Sequence, residues 1–188
     1  MRTLVFIVAL VFLAGFAGVS QKDYLSAKRK FQAIDKQPPK PGTRVTITSA
    51  ELNAYVQAEL PKVAPPGIRD PRVEMQNNNT ATGRAIVDFV KLRSAQGKST
   101  SWMMRKLFEG EREVAVTTRI ESGKGQATVD LERVEVSGIA IEGAALDFLI
   151  DNYLKPNYPN AKIGRPFALH KHVDRIEVAR GVAYIITR

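Results

Sequence analysis

The 188-residue chain contains no cysteine. This absence excludes disulfide bonds, thiolate metal sites and cysteine nucleophiles, and it removes the lipid-attachment cysteine of a bacterial lipoprotein. Histidine is scarce too, since only His170 and His172 are present. A pair at this spacing would share one face of a strand, but no further ligand cluster accompanies it. No metal site is therefore predicted, and two exposed polar side chains are the simpler interpretation.

Sequence patterns that carry enzyme chemistry are also missing. The chain has no nucleophile elbow, no phosphate-binding loop and no dinucleotide-binding glycine pattern. Carboxylates such as Asp130 and Glu132 alternate with apolar residues, which is typical of the solvated face of a strand. We predict no catalytic residue and no cofactor, and we expect a protein that is not an enzyme.

Acidic residues are few near the N-terminus, and this determines where the net charge of +9 lies. The first 44 residues hold eight basic side chains against two acidic ones, Asp23 and Asp35. The remaining 144 residues carry 20 basic and 17 acidic side chains. A nucleic-acid-binding domain would carry a basic face of its own, so no nucleic-acid partner is predicted.

Residues 3–19 form a 17-residue run without a charge, and Arg2 precedes it. A basic start, an apolar stretch and small residues near its end are typical of a secretory signal, with cleavage after Ser20. The alternative is an uncleaved anchor in the inner membrane, because 17 residues approach the length of a membrane span. The third interpretation is a buried helix of a cytosolic protein. We expect export to the periplasm or another extracytoplasmic site.

Three segments follow from this pattern: a signal or anchor at 1–20, a basic juxtamembrane helix with a proline-rich linker at 21–42, and a domain at 43–188. Residues 23–37 look helical, and the prolines of 37–42 end that helix. Within the domain, Thr48 and Glu51 have the spacing of a capping box. They start a helix that Pro61, Pro65 and Pro66 are expected to end.

Alternating apolar residues then predict strands at 69–76, 83–92, 112–121 and 126–136. The apolar face changes at Arg133, which predicts a β-bulge that curves the sheet. A helix at 143–154 and strands at 173–179 and 182–187 follow. The predicted fold is therefore α+β, with a curved, mostly antiparallel sheet wrapped around one or two helices.

The segment 99–108 contains the only tryptophan of the chain. Its apolar residues stand beside two cations, a combination that suits a membrane interface. The alternative is that it closes the end of the core. The predicted membrane-contact residues are Trp102, Met103, Arg105, Lys106, Leu107 and Phe108.

Three stretches together resemble a known family: ITSAELNAYVQAEL at 47–60, VEVSGIAIEGAALDFLIDNYL at 134–154 and GRPFAL at 164–169. They are similar to small exported domains of the tubular lipid-binding (BPI-like) superfamily. In that superfamily a curved antiparallel sheet grips a long helix and leaves an apolar tunnel for acyl chains. The best-known members pair two such units, whereas this chain has one. The resemblance implies a lipid-binding role, and a complete tunnel would require this single unit to form a homodimer.

We therefore expect an exported domain, tethered to the membrane if its anchor is kept, that binds lipid or another apolar ligand of the cell envelope. The main alternative is a non-catalytic structural module with a solid core and an envelope protein as its partner. An enzyme that acts on envelope lipid is the third alternative. The predicted ligand-binding residues are Leu52, Val56, Val87, Phe89, Val116, Val129, Leu131 and Leu149.

Overall fold

The computed structural model describes residues 20–95, 110–157 and 163–188. In these residues the chain has an α+β fold with two open sheets, and every strand pair in them is antiparallel. The predicted fold class is therefore confirmed. The division of the strands between two sheets was not foreseen.

The first helix, α1 (Gln21–Lys36), begins at Ser20, whose hydroxyl oxygen accepts a hydrogen bond from the Asp23 N–H. Its Phe31 ring lies edge-on to Tyr55, with 4.7 Å between the ring centroids. Tyr55 belongs to the next helix, so the basic helix expected to precede the domain packs directly against it.

Strand β1 (Arg44–Thr48) leads straight into α2 (Ser49–Val63). The predicted capping box is confirmed: the Glu51 N–H donates to Thr48 Oγ1 at 3.2 Å, and the Thr48 N–H donates to Glu51 Oε2 at 2.9 Å. Pro61 does not end the helix as expected. The helix continues past it to Val63, and the Ala64 N–H donates to the Leu60 carbonyl at 2.8 Å.

The larger sheet has six strands, and five of them lie side by side in chain order. The short β7 pairs with the other end of β5. The strands are β2 (Ile68–Met75), β3 (Thr80–Asp88), β4 (Glu111–Gly123), β5 (Gln126–Val136), β6 (Ile139–Ala140) and β7 (Phe167–Ala168).

The predicted β-bulge is present in β5. Thr117 pairs with Arg133, but the next residue, Thr118, pairs with Leu131, so Glu132 is the extra residue. An inserted residue reverses the side-chain alternation beyond it, and this explains the change of apolar face read from the sequence.

The smaller sheet has the order β1, β9 (Val182–Thr187), β8 (Val173–Ala179). Two hairpin turns of the larger sheet contact the open edge of β8. Ser122 Oγ donates to the Ile176 carbonyl at 2.7 Å and accepts from its N–H at 2.8 Å. These contacts join the two sheets.

One predicted strand is wrong in its second half. Strand β3 ends at Asp88, and helix α3 (Phe89–Ala95) follows where 83–92 was expected to stay extended. The Asp88 carboxylate accepts a hydrogen bond from the Lys91 N–H at 2.9 Å, which is the role of a helix-capping side chain.

The predicted helix at 143–154 is confirmed in a modified form. It begins as α4 (Gly143–Leu149), widens into a π-helical segment (Ile150–Leu154) and ends in the short α5 (Lys155–Asn157).

Within the described residues, no helix is both long enough and apolar enough to cross a membrane. The segment on which the signal or anchor prediction rests, 1–19, lies outside those residues.

Candidate functional site

An apolar cavity of about 410 Å³ lies between the larger sheet and the helices α3 and α4 with the π-helical segment. Its residues come from four strands, from these helices and from the segment after α5. They are Ile68, Val87, Phe89, Leu92, Val114, Val116, Thr118, Val129, Leu131, Val134, Leu146, Leu149, Ile150, Tyr153, Leu154 and Ile163.

The wall formed by the sheet follows the alternation of its strands. Val114, Val116 and Thr118 are every second residue of β4, so they point to one face. Val129 and Leu131 continue that face on β5. Val134 lines the cavity too, because the extra residue at the bulge, Glu132, reverses which side chains of β5 point to this face.

Strand β3 explains why this space is not filled. Directly opposite Thr118, Val116 and Val114 it places Ala81, Gly83 and Ala85. Residues paired across neighbouring strands point to the same face, so three successive positions of β3 present little or no side chain to the cavity. A Cβ atom added at Gly83 would meet no atom within 4 Å.

The helical wall is built around Tyr153, which is buried. The Phe89 ring meets it edge-on at a centroid distance of 5.1 Å, and Phe148 contacts it at 6.2 Å. Tyr153 lies in the π-helical segment, and such segments interrupt α-helices often at functional sites.

The described lining is almost wholly hydrocarbon. Thr118 and Tyr153 alone among the lining residues carry a polar side-chain atom. The cavity can therefore offer a ligand dispersion contacts and the removal of apolar surface from water, with at most two hydroxyl groups for orientation.

Six of the eight predicted ligand-binding residues line this cavity: Val87, Phe89, Val116, Val129, Leu131 and Leu149. Leu52 and Val56 do not. They belong to α2, which the sheet was expected to enclose but which packs against α1 and the edge strand β2. The contacts of α2 with α1 and β2 hold it outside the described lining of the cavity.

Several lining residues were missed although the sequence carried a signal for them. Leu146, Ile150 and Tyr153 share the apolar stripe of the helix with Leu149, and Val114 shares the alternation with Val116. Ile163 had no such signal, because it lies outside the named strands and reaches the sheet through one isolated bridge to Val129.

The other predicted features have different positions. Residues 102–108, which include every predicted membrane-contact residue, lie outside the described residues. His170 and His172 have ring centroids 5.4 Å apart, and His170 Nε2 approaches Asp35 Oδ1 at 3.2 Å.

A buried charge lies between α1 and α2, where the Glu51 carboxylate is shielded from solvent. Burial opposes its ionisation, but hydrogen bonds from the Lys30 ammonium, the Ser26 hydroxyl and the Thr48 N–H outweigh that effect. Together they lower the pKa of Glu51 to about 2. This carboxylate therefore stays charged at neutral pH and holds the two helices together.

A scan against protein-family models finds no match for this chain, and a search of the curated proteins finds no similar sequence. The resemblance to tubular lipid-binding domains stays a prediction.

Proposed function

We propose that this protein binds the acyl chain of a lipid in the cavity between the larger sheet and the helices, without catalysing a reaction. The observation that carries the proposal is a space of about 410 Å³ walled almost entirely by hydrocarbon. This volume falls in the range of small-molecule pockets, ~300–1,000 Å³.

The size of the space favours a ligand site over a solid core. Packed interiors leave few voids larger than a water molecule. An engineered apolar cavity of about 150 Å³ stays dry and takes up benzene. A larger space whose described lining includes only two polar side chains is poorly suited to water and well suited to hydrocarbon.

An acyl chain also fits the energetics. Each methylene removed from water contributes about 0.8 kcal/mol, so about ten buried methylenes supply ~8 kcal/mol before the cost of association. The described lining residues include no cation for a head group, so we assign the hydrocarbon part of the lipid to the cavity and leave its polar end outside.

The same proposal places the protein in the envelope of a bacterial-type cell. Its support is the charge-free run 3–19 after Arg2, with the small residues Ala17, Gly18 and Ser20 near the expected cleavage point.

The test begins with the full chain, so that any processing of residues 1–20 takes place during expression. Native mass spectrometry and organic extraction of the purified protein should reveal a bound lipid. After delipidation, palmitate should displace a fluorescent fatty acid from the protein.

Gly83→Leu supplies the decisive comparison, because its side chain would enter the cavity opposite Val116. We expect it to weaken fatty-acid binding at least tenfold. Gly123→Leu makes the same chemical change at the end of β4, where an added Cβ also meets no atom within 4 Å. It should bind like the unaltered protein. Equal affinity of the two variants, or no lipid uptake by any form, would refute the proposal.

A further inference from the structure

One face of α1 presents cations to solvent. Lys22, Leu25, Arg29 and Lys36 are separated by three, four and seven residues, which places them on one side of a helix with 3.6 residues per turn. All four are exposed, and Leu25 is 45% exposed. With Gln32, which lies between them and is also exposed, they form what we call the α1 basic face.

The other side of α1 fixes the direction of this face. Ala27 and Ile34 are buried, and Tyr24 and Phe31 contact the ring of Tyr55 on α2. Since the helix is held by that side, the α1 basic face points away from α2.

The cations of α1 also fall into two groups, one with partners within the protein and one on the α1 basic face. Lys30 is paired with Glu51 at 2.5 Å, and Lys28 donates to the Tyr24 hydroxyl at 2.9 Å. In the described part of the chain, neither Lys22 nor Lys36 has an ion pair, and Arg29 donates only to the Leu25 carbonyl at 3.3 Å. The three cations of the α1 basic face are thus available to a partner.

The acids of α1 do not neutralise this face. At 100° per residue, Asp23 and Asp35 each project about 120° away from Arg29. Asp35 is also the residue that approaches His170.

We propose that the α1 basic face docks on the surface of an anionic phospholipid membrane. Cations attract the negative headgroups, and an exposed leucine among them can enter the boundary of the acyl region. A nucleic acid would also attract the cations, but the exposed Leu25 among them favours lipid. This inference does not depend on what the cavity binds.

The absence of cysteine makes a site-specific test direct. The full chain with Gln32→Cys carries an environment-sensitive dye and is titrated with nanodiscs of phosphatidylcholine, with or without phosphatidylglycerol. A second label at Lys124→Cys reports on an exposed turn far along the chain. The dye at position 32 should brighten and shift to the blue only with phosphatidylglycerol, and high salt should reverse the change. The dye at position 124 should not respond.

Two matched variants test the charges. The first variant combines Lys22→Gln, Arg29→Gln and Lys36→Gln. Its apparent affinity for phosphatidylglycerol nanodiscs, measured with the dye at position 32, should fall about a hundredfold, because each cation near an anionic surface contributes about fivefold. The control variant combines Lys124→Gln, Lys171→Gln and Arg180→Gln, which remove the same net charge from exposed residues outside the α1 basic face. Its apparent lipid affinity should equal that of the unaltered protein.

The comparison of the two lipids needs no charge variant, so a folding defect in a triple variant cannot obscure the result. An identical signal at position 32 in both lipids would overturn the proposal, as would equal losses in the two triple variants. A response to duplex DNA as large as that to phosphatidylglycerol would assign the face to nucleic acid instead. Because no fatty acid is used, failure of the cavity to bind palmitate would leave this result unchanged.

Discussion

Gly83 of β3 lies directly opposite Val116 of β4, on the face of the sheet that borders the cavity. At this position β3 therefore has only a hydrogen atom, whereas β4 has a valine side chain. Ala81 and Ala85 extend this gap along β3. The cavity thus depends on a row of small residues in one strand.

Filling that gap should stabilise the protein. Gly83→Leu removes a glycine from a strand interior and buries a side chain among apolar residues, so the free energy of unfolding should rise by about 1–2 kcal/mol. Urea unfolding measures the change. Gly123→Leu, at the hairpin end of β4, should give a smaller one. A destabilised Gly83→Leu protein would contradict the open space described opposite Val116.

Glu51→Gln should destabilise the α1–α2 contact. The carboxylate is buried and accepts hydrogen bonds from Lys30 Nζ at 2.5 Å and Ser26 Oγ at 2.6 Å. Its pKa falls from 4.5 to about 2, which corresponds to about 3 kcal/mol of stability. We expect the neutral amide to lose about that amount at neutral pH, and chemical denaturation measures it.

The pH dependence gives a second, independent check on Glu51. A folded-state pKa below the unfolded value means that the stabilisation is complete above pH 4.5 and is lost as the pH falls to about 2. The unaltered protein should therefore lose more stability over this range than Glu51→Gln. The exposed Glu121→Gln serves as the control and should follow the unaltered protein. Parallel curves for all three would contradict the assigned pKa.

Local patterns in the sequence were sufficient for most elements of the fold. The alternation of β5 and its change at Arg133 located the strand and its bulge, because side-chain direction in a strand depends only on the residue count. The capping box of α2 is equally local, since Thr48 and Glu51 are three residues apart. These features need no knowledge of distant partners.

The position of α2 and the cavity depend on contacts between distant residues. The start of α3 was missed although its signal is local, because Phe89 and Val90 are typical strand residues and the cap at Asp88 was not recognised. The opposition of Gly83 and Val116 requires the register of β3 and β4. Leu52 and Val56 were expected inside the curved sheet, because periodicity identifies an apolar face but not the element that covers it.

Asn53→Ala should loosen the contact between α2 and the edge strand β2. The Asn53 side chain accepts from the Val73 N–H and donates to the Val73 carbonyl, both at 2.8 Å. The amide nitrogen also donates to the Ser49 carbonyl at 2.9 Å. Losing these bonds should cost about 1–3 kcal/mol. Amide exchange at Val73 should quicken as well. Gln57→Ala, one turn further along α2, is the control. Unchanged exchange at Val73 would show that Asn53 does not protect this edge.

Asn53→Asp separates the accepted bond from the donated ones. A carboxylate can still accept from the Val73 N–H, but it cannot donate to the carbonyls of Val73 and Ser49 and places a negatively charged oxygen against both. Its stability at neutral pH should therefore be no higher than that of Asn53→Ala. A stability equal to that of the unaltered protein would mean that the donated bonds contribute little.

Ser122→Ala should weaken the junction between the two sheets. One hydroxyl serves both backbone groups of Ile176, so its removal leaves an N–H and a carbonyl of the β8 edge without this partner. We expect a loss of about 1–2 kcal/mol and faster amide exchange in β8 than in β4. Ser94→Ala, which changes an exposed serine of α3, should change neither quantity.

The junction also includes Asn79, whose Oδ1 accepts from the Val178 N–H at 2.7 Å. We expect these bonds to hold the sheets together. In a variant that combines Ser122→Ala with Asn79→Ala, the amides of the smaller sheet should therefore exchange at a lower urea concentration than those of the larger sheet. Exchange at the same urea concentration in both sheets would indicate that apolar packing alone joins them.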